Sequence, residues 1–238
     1  MDSGINNINI AGIVTYNPDI QRLTDNLTNL AKYADTVVIV DNNSSNVQTI
    51  KDVIDSLPGI ILIQNSTNKG IANALNQIVS KSVDDLGASW TLLMDQDSVF
   101  KTNPFAEFGK YIGDDIAIVC PAIHDDNYGT FKTKDYTVTE IGICITSGSY
   151  INNKVWKNVC GFDDRLFIDS VDTDYSIKVT MAGYKTLRIG SVCLNHELGH
   201  TEKHLFKSAT NHNAIRRYYI ARNSYYLSLC YSRIFKLQ

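Results

Sequence analysis

The sequence predicts an α/β protein with a mostly parallel central sheet and helices on both faces. Three observations predict it. Short apolar runs alternate with segments of helical period three times between residues 8 and 94. Such alternation is built as parallel strands joined by right-handed crossovers. The second and fourth apolar runs stop on carboxylates, Asp41 and the Asp95/Asp97 pair, which would lie along one sheet edge. A content of 44% hydrophobic and 20% charged residues in 238 supports a sizeable core and excludes a disordered chain.

Ile8 to Thr15 is an apolar strand broken by Tyr16-Asn17-Pro18. Asn17 fits an N-cap and Pro18 a first helical residue, with Leu23, Leu27 and Leu30 at helical spacing up to about Tyr33. Val37 to Val40 is a buried strand ending on Asp41, and Asn42 to Ser45 is a polar loop. Val47 to Leu57 is a helix stopped by Pro58-Gly59, and Ile60 to Ile63 a third strand. Asn68-Lys69-Gly70 opens a third helix with Ile71, Leu75, Ile78 and Val79 inward. Trp90 to Met94 is the fourth strand. The second half loses the alternation. Ala117 to Cys120, Thr137 to Thr146 and Thr186 to Leu194 read as strands, and His124 to Asp135 as a loop. Ile151 to Val159 and Asp172 to Ala182 read as helices, the latter with Asp172 at its N-cap. From Asn211 the chain turns helical again.

A net charge of −3 disfavours a general nucleic-acid binder. The five cysteines are odd in number, scattered and without a C-x-x-C pair. They read as reduced core residues of an intracellular protein, not a disulfide frame or zinc site. No basic segment followed by an apolar run marks a signal peptide, and no run approaches the ~20 residues of a membrane span. There is no G-x-G-x-x-G turn after the first strand and no P-loop, which disfavours a dinucleotide dehydrogenase and a P-loop NTPase.

Asp95 and Asp97 end a strand buried on both faces. Carboxylates gathered there are costly unless something positive joins them. A divalent cation carrying a phosphorylated ligand suits the place, because Mg²⁺ takes one or two carboxylates plus phosphate oxygens and water. As turn formers the same two aspartates are equally at home.

Several stretches line up in order: Thr15-Tyr16-Asn17, Val40-Asp41-Asn42-Asn43-Ser44, Asn68-Lys69-Gly70-Ile71-Ala72, Asp95-Gln96-Asp97, Gly161-Phe162-Asp163, Val171-Asp172-Thr173-Asp174 and Asn195-His196-Glu197. Together they resemble a family-2 glycosyltransferase of GT-A fold. Phe167 to Asp174, with Arg216-Arg217-Tyr218-Tyr219 and Arg222-Asn223 downstream, is most similar to the rhamnosyltransferase branch. The resemblance covers roughly residues 8–225 and divides the chain into a glycosyltransferase domain, 1–205, and a basic, aromatic helical segment, 206–238. Within the domain, about 1–100 would bind the nucleotide and 101–205 would carry the acceptor and catalytic groups.

The resemblance implies an inverting transfer from a nucleotide-diphosphate sugar to an acceptor hydroxyl, with Mg²⁺ or Mn²⁺ as cofactor. Asp97, with Asp95 and His196, would hold the metal, and Asp95 would also lie near the ribose of the nucleotide. His196 as a hydrogen-bonded structural histidine is the competing reading, and His200 a second candidate. Asp172 would be the base, a role compatible with an N-cap. A helix dipole would lower its pKa and keep it ionised. Asp169 is the runner-up base, at the acceptor and sugar side with Ser147 and Gly148. Asp41 would accept the N3–H of uracil or thymine. Thr15 and Asn17 would line that pocket, with Asn68, Gly70 and the free N–H groups of a helix start near the ribose and diphosphate. Gln96 has no assigned role.

The implied donor is dTDP-rhamnose, with a UDP-hexose or UDP-galactofuranose as alternative. The implied acceptor is a surface polysaccharide or lipid-linked saccharide, with no nucleic acid as partner. A cytoplasmic protein is expected, with the C-terminal helix either packed on the domain or lying peripherally at the inner face of the membrane. The amphipathic pattern ends at Gln238 without a Gly, Pro or polar tail, which predicts a longer natural chain. Two competitors come from other classes. A sugar-nucleotide pyrophosphorylase needs a Gly-rich basic loop where Thr15-Tyr16-Asn17-Pro18 stands. A catalytically silent binding module has no use for Asp97 and Asp172.

Overall fold

The computed structural model describes residues 8–124, 137–195, 201–204, 207–210 and 214–232. The first half is strand and helix in turn: β1 (Ile10–Thr15), α1 (Ile20–Leu30), β2 (Thr36–Asp41), α2 (Val47–Asp55), β3 (Ile60–Gln64), α3 (Ile71–Ser80) and β4 (Trp90–Met94). β5 (Val99–Phe100), α4 (Pro104–Phe108), β6 (Ile116–His124), β7 (Val138–Ile141), β8 (Ser149–Asn152), α5 (Asn153–Asn158), α6 (Val171–Met181) and β9 (Lys185–Asn195) follow. A hairpin of β10 (Thr201–His204) and β11 (Lys207–Thr210) stands off the sheet, and α7 (Ala214–Cys230) comes last.

The main sheet runs β3-β2-β1-β4-β8-β6-β9-β5, with β7 also on β9. β3, β2, β1 and β4 are mutually parallel, so Thr15, Asp41, Gln64 and Asp95 emerge at one edge. β8 enters antiparallel between β4 and β6. That reversal is why alternation fades from the second half of the sequence.

Successive residues of β1 face opposite layers, as strand geometry requires. Ile10 and Val14 join Leu75, Ile78, Val79, Tyr175 and Val179 in one apolar cluster. Ala11 and Ile13 join Leu23, Leu27, Leu30, Ile50, Phe105 and Phe108 in the other. Gly12 lets α3 approach, since a Cβ there would lie 2.1 Å from Ile78 Cγ2.

Four boundaries differ from the sequence reading. Asn17 is not the N-cap of α1: it turns left-handed at φ 47°, and Asp19 caps by accepting from Arg22 N–H. Ile151 belongs to β8, and α5 starts only where the Asn152 side chain accepts from Lys154 and Val155 N–H groups. The strand expected over Thr137 to Thr146 ends at Ile141, where Gly142 opens a turn region. α6 begins at Val171 with Ser170 before it, so Asp172 is the second helical residue and not the cap. The cysteines differ too. None of the five is in a disulfide, but Cys160 and Cys230 are exposed, Cys144 and Cys193 half-buried, and only Cys120 is a core residue.

α7 packs on the domain. Leu227 and Tyr231 join the first apolar cluster, Tyr226 Oη donates to Asp163, and Tyr231 Oη donates to buried Asp174. Ile215, Tyr218, Tyr225 and Leu229 face outward. Among the described residues no helix is long and apolar enough to cross a membrane.

Gly12→Ala is expected to destabilise by about 1–3 kcal/mol, the usual cost of overpacking. In urea denaturation, Gly12→Ala with Ile78→Ala should cost less than the sum of the two single changes.

Candidate active site

The carboxyl edge of the parallel strands is laced together by side chains. Asp41 has no exposed surface. Its Oδ1 accepts from the Thr15 hydroxyl (2.9 Å) and the Ser44 hydroxyl, and its Oδ2 from Ser44 N–H (2.9 Å). Thr15 is equally buried. Asn17 Oδ1 accepts from Ser45 N–H and hydroxyl (2.8 and 2.9 Å), and Asn17 N–H donates to Ser44 Oγ (2.8 Å). Thr15, Asn17 and Asp41 therefore come together around the Ser44-Ser45 turn, Thr15 and Asp41 buried and Asn17 exposed.

The Asp95-Gln96-Asp97 turn follows β4. Gln96, unassigned from sequence, accepts from Tyr16 N–H at 3.0 Å and ties this turn to the β1 loop. Buried Asn26 on α1 donates to the Asp95 carbonyl at 2.7 Å. Asp95 N–H donates to Ser147 Oγ (3.3 Å), which donates in turn to Ser98 Oγ (3.3 Å). Ser147, expected beside the sugar, is thus a buried support of the acidic turn. Gly148 is also structural. It sits at φ 78°, and a Cβ there would come within 2.9 Å of Leu194 and Pro121.

Asp97 is half-buried and makes no hydrogen bond or ion pair among the described residues. An uncommitted carboxylate at a strand end is the hard oxygen donor a divalent cation takes, so this residue fits a metal. Among the described residues no three His, Cys, Asp or Glu side chains gather to hold an ion. His196 and His200 lie outside the described residues.

Helix α3 starts at Gly70, which lies at φ 85°. Its bare side faces Phe167: a Cβ would meet the Phe167 carbonyl oxygen at 2.6 Å. That carbonyl accepts from Ile71 N–H at 2.7 Å, so one of the free donors expected at this helix start is taken by the protein. Asn68 Oδ1 accepts from Gly70 N–H (2.9 Å), and Asn42 Nδ2 donates to the Gly70 carbonyl (3.0 Å). Both asparagines build the turn.

Asp172 lines a small cavity with Cys144, Thr146, Ser149, Tyr175 and Ser176. Thr146 adjoins Ser147, so one loop carries both the support of the Asp95 turn and a wall of the Asp172 cavity. Burial pushes the Asp172 carboxyl above its ordinary value, and the charge of Asp169 adds to the rise. A hydrogen bond from Thr173 N–H (2.8 Å) works the other way and loses. The helix start therefore does not lower this pKa as expected, because desolvation dominates. Asp169, the runner-up base, is paired with Arg216, whose Nη2 lies 3.0 Å from Oδ1. Asp169 and Ser170 are both left-handed, at φ 64° each. That conformation costs roughly 1–2 kcal/mol per non-glycine residue.

A GT-A nucleotide-sugar transferase is the class that this sheet order and this edge define. The sequence profile of glycosyl transferase family 2 matches residues 11–174, and the chain belongs to that family. It is 29% identical over 237 residues to the dTDP-rhamnosyl transferase RfbF of Shigella flexneri, covering 91% of this chain and 78% of that protein. Solved structures share the fold at lower identity. GalNAc-T7 with UDP, GalNAc and Mn²⁺ superposes with a TM-score of 0.63 at 14% identity, over 81% of this chain and 44% of that one. The Pyrobaculum calidifontis mannosyltransferase PcManGT with GDP-Man and Mn²⁺ gives 0.64 at 17% identity, over 82% and 58%. The chain thus spans less than two thirds of either solved structure.

A carboxyl whose folded pKa is raised stabilises the fold fully below its unfolded pKa, about 3.9, and loses that contribution as pH rises through the folded value. Asp172→Asn should therefore raise the melting temperature at pH 7, and the gain should vanish near pH 3 in a thermal-melt series.

Proposed function

We propose that this glycosyltransferase moves rhamnose from dTDP-rhamnose, with inversion, to a hydroxyl of a surface polysaccharide or lipid-linked saccharide. The donor rests on the likeness to the Shigella flexneri enzyme across 91% of the chain. The reaction rests on one observation: Asp172 and the Asp95 turn flank the same loop, with the Asp172 carboxyl held in a cavity that raises its affinity for a proton.

In this reading the Asp172 carboxylate takes the acceptor hydroxyl proton as that oxygen bonds to the anomeric carbon and the bond to the diphosphate breaks. The attack is in-line, so Asp172 serves the face away from the leaving group. Asp97, Asp95 and His196 are the residues that would hold Mg²⁺ or Mn²⁺. Such an ion would supply positive charge against the negative charge growing on the diphosphate. Asp41 is the proposed reader of the pyrimidine N3–H. Because Asp41 has no exposed surface, reading a base requires the Ser44-Ser45 turn to open. The reading carries a cytoplasmic location. A peripheral contact with lipid would use the outward Ile215, Tyr218, Tyr225 and Leu229 of α7.

A thermal-shift panel of nucleotide sugars with Mn²⁺ should show the largest rise with dTDP-rhamnose, lost in EDTA. A UDP-sugar as the clear winner would replace the donor, and no response to any would favour a silent module. Asp172→Asn should keep donor binding and lower kcat by about 10²–10⁴-fold, the usual worth of a general base. Unchanged turnover would remove Asp172 from that role. Asp97→Ala should weaken Mn²⁺-dependent nucleotide binding in calorimetry, with no difference from the parent chain in EDTA.

A further inference from the structure

The turn that launches α6 is held from outside the span shared with the family. The family match ends at residue 174, and α7 begins at Ala214. Asp169 and Ser170 both adopt the left-handed conformation, and the Ser170 side chain makes no cap bond to the helix it precedes. Left alone, such a turn would relax.

Helix α7 supplies the restraint. Asn223, with no exposed surface, donates from Nδ2 to the carbonyls of both Ile168 and Asp169, at 2.8 Å each. Two carbonyls are thus held at a single amide, which fixes the peptide between them. Arg222 donates to Asn223 Oδ1 from Nε (2.9 Å) and Nη2 (2.7 Å), setting which way that amide points. Its Nη2 also donates to the Arg165 carbonyl. Arg216 closes on the Asp169 carboxylate, with Nε 3.2 Å from both oxygens and Nη2 3.0 Å from Oδ1. Phe167 stacks on Tyr219 at 5.1 Å between ring centroids. From the other side, the Phe167 carbonyl is tied to Ile71 N–H. Residues 165–169 are therefore gripped between α3 and α7, three residues before Asp172.

We propose that Arg216 and Asn223 are positioning residues of the transfer reaction, holding the Asp169-Ser170 turn so that Asp172 meets the acceptor hydroxyl. The proposal rests on the reading of Asp172 as base. α7 is then a working part of the catalytic apparatus. The Arg216–Asp169 pair also keeps this second carboxylate engaged, with Nη2 3.0 Å from Oδ1.

The test uses the full chain and two readouts. Arg216 is partly exposed, so Arg216→Gln should fold, and Asn223→Ala is run beside it. In hydrogen–deuterium exchange without ligand, Arg216→Gln should speed exchange over residues 167–174, including the Asp174 N–H that donates to the Ser170 carbonyl. Exchange over β1 to β4 should stay as in the parent. In turnover, both changes should lower kcat by about 10²-fold, the scale of a misplaced catalytic group, with the donor KM little changed. Arg216→Lys should restore part of that loss by keeping the charge. Equal exchange in Arg216→Gln and the parent, or faster exchange with kcat intact, overturns the proposal. Asp172→Asn assayed alongside separates the two claims: full turnover there sinks the base assignment, while the exchange data still report on the grip.

Discussion

One close approach joins the two halves of this protein. The Phe167 carbonyl reaches the first N–H of α3, and it can do so only because residue 70 has no side chain. On one side of that contact stand the β1, β2 and β3 ends, locked through Asn42 to the Gly70 carbonyl. On the other stands the segment that leads into α6 and Asp172. A carbonyl accepting a helix-start N–H satisfies a donor that otherwise needs water or a ligand. The parallel half of the sheet and the segment leading into α6 are therefore registered by backbone, which holds position more tightly than long side chains would.

The same economy governs the polar edge. Asp41, Thr15, Ser44 and Asn42 are buried, and Asp41, Thr15 and Ser44 are hydrogen-bonded to one another. A buried carboxylate without a cation must be satisfied by such donors or be costly. Three donors around Asp41 meet that demand and give the turn a fixed shape. The edge left for a ligand is made by the few groups not spent this way, of which Asp97 is the clearest among the described residues.

The parallel half of the fold was legible in the sequence because its strands are apolar runs of four to six residues and its helices carry a regular inner stripe. The places of Asp95, Asp97 and Asp172 at a strand end and a helix start were legible because acids stood where periodic segments stopped or began. What the sequence hid was decided by contacts between distant residues. Gly70 and Gly148 look like space for a ligand, yet each is a place where protein from elsewhere in the chain comes close. Gln96 carries no motif, and its role exists only because Tyr16 lies beside it in the fold. β8 is too short and too polar to outweigh the helical period beyond it. Asp172 was expected to be ionised easily, because the helix start is visible in sequence and the burial opposing it is not.

Leu227 and Tyr231 fill the same apolar layer as Leu75, Ile78 and Val179, although they lie more than fifty residues past the end of the family match. Chimaeras spliced at the family boundary would therefore pair this core with a foreign last helix and leave a hole beneath α6. Swapping donor specificity between relatives in this family calls for carrying the terminal helix with α6, as one inherited block.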